Sequence, residues 1–411
     1  MIDERQDRHQ RKGKPTVKVY KNAVILAGPE LRVMEDAAVV LDGEHIVEIK
    51  TDYSGPGIDL SGAIVIPGFV NAHTHIGDWG AKDMAVGLPT VKAVSPPNSV
   101  KYRYLRSLTP EELIRSMRNG AREMLAAGIA AFADFREGGV NGAKLLRQAV
   151  WDLPIKAVIF AEPTISPGEW DRYLCEAVEI GETADGLGIS DITLFTDEQL
   201  ALLKGALEAH NAKLAVHIAE TSEAQRVSKE QWGASEVKRI LEVAPDLLVH
   251  MTNADSADIE ATAAAGVPVV CCPRTNCILG DGIPPLYQLW KAGVPLSLGT
   301  DNFMFTSPNM FREMDYFSRI VRGQSNRPDA IEARDVLSMA TLGGARALGI
   351  DDEYGSLEPG KIASFIVIDP KSPNLQPVRD IYSAIVHRAG LADIRLVVAR
   401  GQELHRGGTE Q

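Results

Sequence analysis

Between residues 65 and 348 short apolar segments alternate with helix-like segments, and this alternation constrains the fold more than any other feature. Eight apolar segments have the length and composition of strands, and a pattern typical of a helix follows each of them. The clearest helix start is residues 109–112, which combine an N-cap threonine, a proline and two early acids. Strict alternation implies a parallel sheet. Eight units predict an α/β fold, a (β/α)₈ TIM barrel.

The two ends of the chain show a different rhythm, in which short strands alternate with turns. Apolar runs between residues 16 and 64 predict strands, and Asp42-Gly43 lies between two of them as a hairpin-type turn. The rhythm returns after Gly349. We therefore expect residues 16–64 and 349–411 to form one composite β-sandwich domain beside a barrel domain of residues 65–348. Residues 1–15 are mostly polar and predict a disordered arm.

Composition argues against several classes of function. A net charge of −12 disfavours binding to a nucleic acid polymer or an anionic membrane. No apolar run approaches the roughly 18 residues that a membrane span needs, and we expect no signal peptide. The four cysteines show neither a disulfide framework nor paired zinc spacing, which favours a cytoplasmic location. A small-molecule substrate fits best, and exposed barrel helices leave a homo-oligomer open.

Residues that commonly bind metals stand at the ends of four predicted strands. His73 and His75 end the first strand, His217 ends the fifth, His250 ends the sixth and Asp301 follows the eighth. Residues two apart on a strand face the same side, so His73 and His75 can bind one ion together. In a barrel all C-terminal strand ends open on one face, so the five side chains should converge. Any one histidine could be structural, but the whole set favours a metal site.

Two glutamates lie near the same face. Glu220 follows His217 by three residues, so it should lie in the loop above the metal, where a carboxylate can pass a proton from metal-bound water to a leaving amine. A solvated loop acid is the weaker alternative. The fourth strand and its exit carry no lysine, which leaves no source for a carboxylated lysine bridging two metals and favours one ion. Glu162 could bridge a second ion, but we assign it first to the substrate pocket.

These motifs together resemble the amidohydrolase superfamily. The entry to the first strand, residues 67–73, and the run 357–363 also resemble it, so the resemblance covers nearly the whole chain. The His-x-x-Glu motif is similar to the branch that holds cytosine, guanine and adenosylhomocysteine-type deaminases and the triazine chlorohydrolases. Residues 272–276 and 280–286 resemble the seventh-strand loop of nucleoside deaminases, whereas residues 76–84 do not match the adenosylhomocysteine deaminase motif.

The resemblance implies a ligand set and catalytic roles. One divalent ion would be held by four ligands: His73, His75, His217 and Asp301. Zinc is favoured, and iron(II) is the alternative. His250 would hydrogen-bond the attacking hydroxide or the substrate, Glu220 would shuttle protons, and Asp301 would also act as a base.

The implied activity is metal-dependent hydrolysis of a carbon–nitrogen bond. A metal-bound hydroxide would deaminate a purine, pyrimidine or nucleoside-like ring and release ammonia. The alternatives are hydrolysis of an amide, a cyclic amide or a halide at the same site, and a non-catalytic barrel that only binds ligands. The complete ligand set argues against the last of these.

Six further residues on the same barrel face are predicted to bind substrate. Each has a structural alternative, because strand-end charges also cap neighbouring helices and an aromatic ring can simply pack in a loop. The six are Trp79, Asp78, Arg136, Glu162, Arg274 and Asn276.

Overall fold

The computed structural model describes residues 17–404. The predicted arm at residues 1–15 lies outside the described residues. Eight parallel strands follow one another around a barrel in chain order. They are Phe69–His75, Ile129–Arg136, Lys156–Ala161, Gly186–Ile189, Lys213–Ile218, Leu247–His250, Val269–Cys271 and an eighth strand in two parts, Leu296–Leu298 and Asp301–Asn302.

The eighth strand closes the barrel. Its first part pairs with the seventh strand and its second part pairs with the first strand, where Asp301 lies opposite Thr74. Between the two parts, Thr300 donates its backbone N–H to Asn71 Oδ1 at 2.9 Å, and Asn71 Nδ2 donates to Thr300 Oγ1 at 2.7 Å. Both residues are buried, so these bonds satisfy polar groups that water does not reach. The predicted TIM barrel is confirmed.

Helices separate the strands along the chain. Two short helices, Thr90–Ala93 and Val100–Ser107, lie in the long segment after the first strand. The other barrel helices are Pro110–Ala126, Gly139–Val150, Trp170–Thr183, Asp197–Glu208, Ser222–Trp232, Glu236–Leu241, Ser256–Ala265, Pro273–Leu279, Leu286–Lys291, Met310–Ser325 and Ala333–Ser338, the last of which continues through a π-helical turn, Met339–Gly343, into Gly344–Leu348.

The sequence signals for helices succeed where caps and an apolar face coincide. Thr109 Oγ1 accepts from the Glu112 backbone N–H, and Glu112 Oε2 accepts from the Thr109 N–H, so the predicted capping box is present. Helix Ser222–Trp232 was not expected, because it buries only polar Gln225 and Ser228 and shows no apolar stripe. Helix Pro273–Leu279 likewise begins where a loop was expected after the seventh strand.

Both chain ends build one second sheet. Strand Ile64–Pro67 lies antiparallel to Phe365–Ile368 and so joins the N-terminal and C-terminal strands in one sheet. His45, on the edge strand of the N-terminal half, also forms a β-bridge with Ile362, just before the first C-terminal strand. This confirms that the two chain ends form a β structure together, and the structure shows it as one continuous sheet. Its division from the barrel at residues 64 and 349 as a separate domain stays a prediction. Its strands are Val17–Ala27, Arg32–Asp42, His45–Thr51, Ile58–Asp59, Ile64–Pro67, Phe365–Ile368, Ile394–Ala399 and Gln402–Leu404.

A helix interrupts the C-terminal strands, although only strands were predicted there. Ile381–His387 contacts helix Met310–Ser325, where His387 Nδ1 lies 3.0 Å from Asp315 Oδ1. Within residues 17–404, no helix has both the length and the apolar character needed to cross a membrane.

Barrel closure through Asn71 can be tested by stability. Asn71→Ala removes both hydrogen bonds and leaves the buried Thr300 N–H without its acceptor, so the free energy of unfolding should fall by about 1–3 kcal/mol. Chemical denaturation measures it. The control Asn141→Ala changes an exposed helical residue and should stay within about 0.5 kcal/mol of the native protein. Equal stabilities of the two variants would contradict the role of this pair.

Candidate metal centre

The five residues predicted around a metal lie together at the C-terminal mouth of the barrel. His73 Nε2 is 3.2 Å and His75 Nε2 is 3.6 Å from the same Asp301 oxygen, Oδ1. The ligand atoms of His73, His75 and Asp301 all lie within 4.8 Å of one another, as do those of His73, His217 and His250. All five residues are buried. The convergence expected from four strand ends is therefore present.

Backbone geometry on the sixth and eighth strands turns these side chains inward. His250 and Asp301 have φ angles of 82° and 59°, in the left-handed region that side chains other than glycine rarely adopt. Such strain concentrates at functional sites. Gly299 lies behind Asp301, and a Cβ there would lie 2.8 Å from His73 Cβ and 2.9 Å from a Val270 methyl. Only glycine lets the first, seventh and eighth strands approach this closely.

The unpaired polar atoms of the site fit a cation. His73 is fully buried, yet neither of its ring nitrogens makes a hydrogen bond with a described residue, and His250 Nε2 also lacks one. Leaving buried polar atoms unpaired costs about 1–3 kcal/mol each. A metal ion beside the Asp301 carboxylate would use the lone pair of one His73 nitrogen, and a water or substrate atom could accept from His250 Nε2.

The protonation states of these side chains also suit a cation. Burial lowers the pKa of His73 to about 3, and burial also holds the pKa of His217 well below its usual range. Burial works against ionisation of Asp301, but its contact with His73 holds the pKa of this carboxyl well below its usual range. A neutral His73 and a neutral His217 beside an ionised Asp301 are in the protonation states that a divalent metal requires of its ligands.

Backbone carbonyls orient two of the rings. Phe135 O lies 3.1 Å from His75 Nδ1, and Ile189 O lies 3.4 Å from His217 Nδ1. A carbonyl can only accept, so in both rings Nδ1 carries the proton and Nε2 is left as the metal-binding nitrogen.

His250 is oriented in the opposite sense. The side-chain amide of Asn276 donates from Nδ2 to His250 Nδ1 at 3.1 Å. Nδ1 is then the acceptor, and the ring proton resides on Nε2. His250 can therefore donate a hydrogen bond from Nε2 to a substrate or a water, which distinguishes it from His75 and His217.

Glu220 lies beside His250, with Oε1 3.8 Å from His250 Nε2. Its chain reverses at Ala219, which has a left-handed φ of 48°. Burial, together with the charges of Asp281 and Asp301, raises the pKa of Glu220 to about 8. A divalent cation beside it would lower that pKa towards neutrality. The carboxyl is thus suited to gain and lose a proton near neutral pH.

A cavity of about 610 Å³ adjoins the metal centre at the ends of the second, third and fourth strands. Arg136 and Glu162 line it, and so does Ile189, whose carbonyl contacts His217. That Arg136 and Glu162 bind substrate stays a prediction. Much of the remaining wall is apolar: Pro96, Leu105, Leu113, Ile165, Leu194 and Phe195.

The other predicted substrate residues have protein partners. Asn276 holds His250, as described above. Trp79 Nε1 donates to Glu123 Oε2 at 2.7 Å, Asp78 Oδ2 accepts from Asn302 Nδ2 at 2.9 Å, and Arg274 Nη1 lies 3.0 Å from Glu313 Oε1. The substrate-binding role of these residues stays a prediction.

Two buried charged residues near the site were not predicted from the sequence. Asp134 Oδ1 accepts from Thr74 Oγ1 at 2.8 Å and from the Ile76 N–H at 2.6 Å, so it fixes the chain on both sides of His75. A lone acid in the apolar second strand was the available signal. Lys101 is only 3% exposed. Nothing in its sequence context distinguishes it from a surface lysine.

Known proteins resemble the chain over nearly its whole length. Residues 64–404 match the model of the amidohydrolase family. The chain is 38% identical to a putative aminohydrolase of Methanothermobacter thermautotrophicus, covering 94% of this chain and 99% of the relative. It is 30% identical to a 5'-deoxyadenosine deaminase of Methanosarcina mazei, covering 94% and 92%. A solved adenosine deaminase from Xanthomonas campestris with bound zinc has a TM-score of 0.82 at 25% identity, covering 94% and 92%.

Metal content tests the site directly. Asp301→Asn keeps the shape of the side chain but removes the charge around which the histidines gather, so the purified variant should lose the divalent ion that the native chain carries. Elemental analysis by mass spectrometry measures this. Asp315→Asn is the matched control, since Asp315 also contacts a histidine, His387, but neither residue belongs to the ligand cluster. Retention of metal by Asp301→Asn would exclude Asp301 as a ligand.

Proposed function

The chain belongs to the amidohydrolase family, and from this premise we propose that it is a metal-dependent deaminase of nucleoside-like substrates that releases ammonia. One observation carries the proposal: the Glu220 carboxyl lies beside His250, a member of the histidine–aspartate cluster, with Oε1 3.8 Å from its Nε2. A purely structural metal site is closed by its ligands and needs no acid beside it. The deaminase names of relatives that align over most of both chains support the same reaction.

The residues that would hold the metal are His73, His75, His217 and Asp301. A divalent ion in such a site acts as a Lewis acid, which lowers the pKa of a coordinated water towards neutrality. Nitrogen and carboxylate ligands suit zinc, and the similar adenosine deaminase contains zinc; iron(II) remains the alternative.

Glu220 and His250 divide the remaining chemistry. Glu220 takes a proton from the attacking water and returns one to the departing amino group, so the carbon–nitrogen bond breaks as the carbon–oxygen bond forms and ammonia leaves. His250 donates a hydrogen bond from Nε2 to the attacking oxygen or to the substrate ring. The Asn276 amide keeps the proton of His250 on Nε2. Asp301 supports the same proton transfer as a base.

We propose that the cavity binds the group attached to the ring that is deaminated, which in a nucleoside is the sugar. Glu162 faces it and accepts hydrogen bonds from Ser190 Oγ and from Tyr102 OH, the latter at 3.2 Å. A carboxylate with two oxygens has further lone pairs, so it can accept from substrate hydroxyl or amino groups. The apolar wall would pack against the rest of that group. A nucleoside fits this division better than a free base.

A cytoplasmic location is proposed from the cysteines. All four are free thiols, and Cys175 is exposed, which suits a reducing compartment.

An ammonia-release screen tests the function. Zinc-loaded protein should release ammonia from aminated purine nucleosides, and less efficiently from the matching free bases because these leave the cavity at Glu162 empty. A coupled glutamate dehydrogenase assay measures ammonia. Release of chloride from halogenated rings, or of a ring-opened acid from cyclic amides, without ammonia from any amine, would refute deamination.

The role of Glu220 is tested by Glu220→Gln. The variant keeps the side-chain volume but cannot accept and return a proton, so kcat should fall by about 10²–10⁴-fold while zinc content stays native. Glu223→Gln is the matched control, because Glu223 is exposed on the following helix and pairs with Arg226. Native turnover in Glu220→Gln would remove the proton-shuttle assignment.

A further inference from the structure

Helix Val100–Ser107 carries a buried ammonium to the edge of the metal centre. Lys101 is 3% exposed, and its Nζ lies 2.5 Å from Glu137 Oε1. A lysine is almost never this buried without a partner, because removing its charge from water costs several kcal/mol. The ion pair with Glu137 is therefore what holds Lys101 in place.

Glu137 connects this ammonium to a predicted metal ligand. The oxygen that contacts Lys101, Oε1, also lies 3.2 Å from His75 Nδ1, and Oε2 accepts a hydrogen bond from Arg136 Nη2. Two cations thus fix one carboxylate, and the carboxylate faces the non-coordinating side of the His75 ring. Carboxylates in this position orient a ligating histidine and strengthen its donation.

The segment that carries Lys101 lies across the barrel mouth. Residues 76–108 pack a small apolar cluster of their own against Leu279, after the seventh strand, and Met304, after the eighth. Thr90 Oγ1 donates to Asp281 Oδ1 on the same side. Helix Val100–Ser107 also contributes Tyr102 and Leu105 to the cavity wall. One segment therefore covers the site, shapes the cavity and contacts a metal ligand.

We propose that Lys101 is a positioning residue that couples the covering segment 76–108 to the metal through Glu137 and His75. When the helix is seated, Lys101 holds Glu137 against His75 and the ring presents Nε2 to the metal. Because such coupling is reciprocal, a bound ion also holds the helix in place. The inference rests on the proposed metal centre but assigns a role to residues outside the ligand set.

The experiment measures zinc affinity by competition with a chromophoric chelator. Lys101→Met keeps the length and apolar stem of the side chain but removes the charge, and Arg136 still pairs with Glu137. We expect zinc binding to weaken about 10–100-fold. The control Lys82→Met lies in the same segment but is exposed and pairs with Glu123, so its zinc affinity should be native.

Limited proteolysis is a second measurement. If Lys101 only stabilised the fold, its replacement would not abolish the protection that zinc gives. Zinc should slow tryptic cleavage after the exposed Lys92 in the native protein, and it should give no such protection in Lys101→Met. If Lys101→Met does not fold, Lys101→Gln, which keeps a donor without the charge, replaces it in both measurements.

The outcomes separate this inference from the metal centre itself. A native protein that binds no zinc contradicts the metal centre. A native protein that binds zinc, together with a folded Lys101 variant of equal affinity and equal zinc protection, overturns the role of Lys101 alone.

Discussion

The charge of Asp301, buried against His73 and His75, is the constraint on which the site depends. A carboxylate removed from water is costly unless cations or hydrogen-bond donors surround it. Here the nearest groups are His73 and His75, whose Nε2 atoms face the same oxygen. Because the His75 proton is on Nδ1, this ring offers Asp301 a lone pair, and a metal cation between them would stabilise the carboxylate. Three features of the fold support this arrangement. Asp301 has a left-handed φ, a glycine lies two positions before it, and the buried Asn71–Thr300 pair joins the first strand to the eighth.

Two kinds of hydrogen-bond partner give the histidines of this cluster different roles. Carbonyls place the Nδ1 proton of His75 and His217, which leaves Nε2 for a metal, whereas the Asn276 amide places the proton of His250 on Nε2. The same residue type therefore serves as a ligand at two strand ends and as a hydrogen-bond donor at a third. Glu220 lies beside the donor, with Oε1 3.8 Å from His250 Nε2.

The sequence predicts the barrel and the cluster because both depend on short-range patterns. Strand–helix alternation sets the fold, and parallel strands bring their ends to one face, so His73, His217 and Asp301 can be placed together without knowing a single contact. Side chains reached by tertiary packing are not predictable in this way. Lys101 has the local context of a surface lysine, and Trp79 looks like a pocket residue until its bond to Glu123 is known. The polar helix Ser222–Trp232 was missed for the same reason, since its stability comes from caps and neighbours rather than from an apolar stripe.

The central claim is that residues from three strand ends hold one ion through nitrogen and oxygen, with the nearby cysteines excluded. X-ray absorption spectroscopy of the zinc-loaded protein tests this most directly. The account predicts a first shell of nitrogen and oxygen at about 2.0–2.1 Å, with outer-shell scattering from three imidazoles. A sulfur shell at about 2.3 Å, from Cys271 or Cys272, or scattering from fewer than three imidazoles would contradict it.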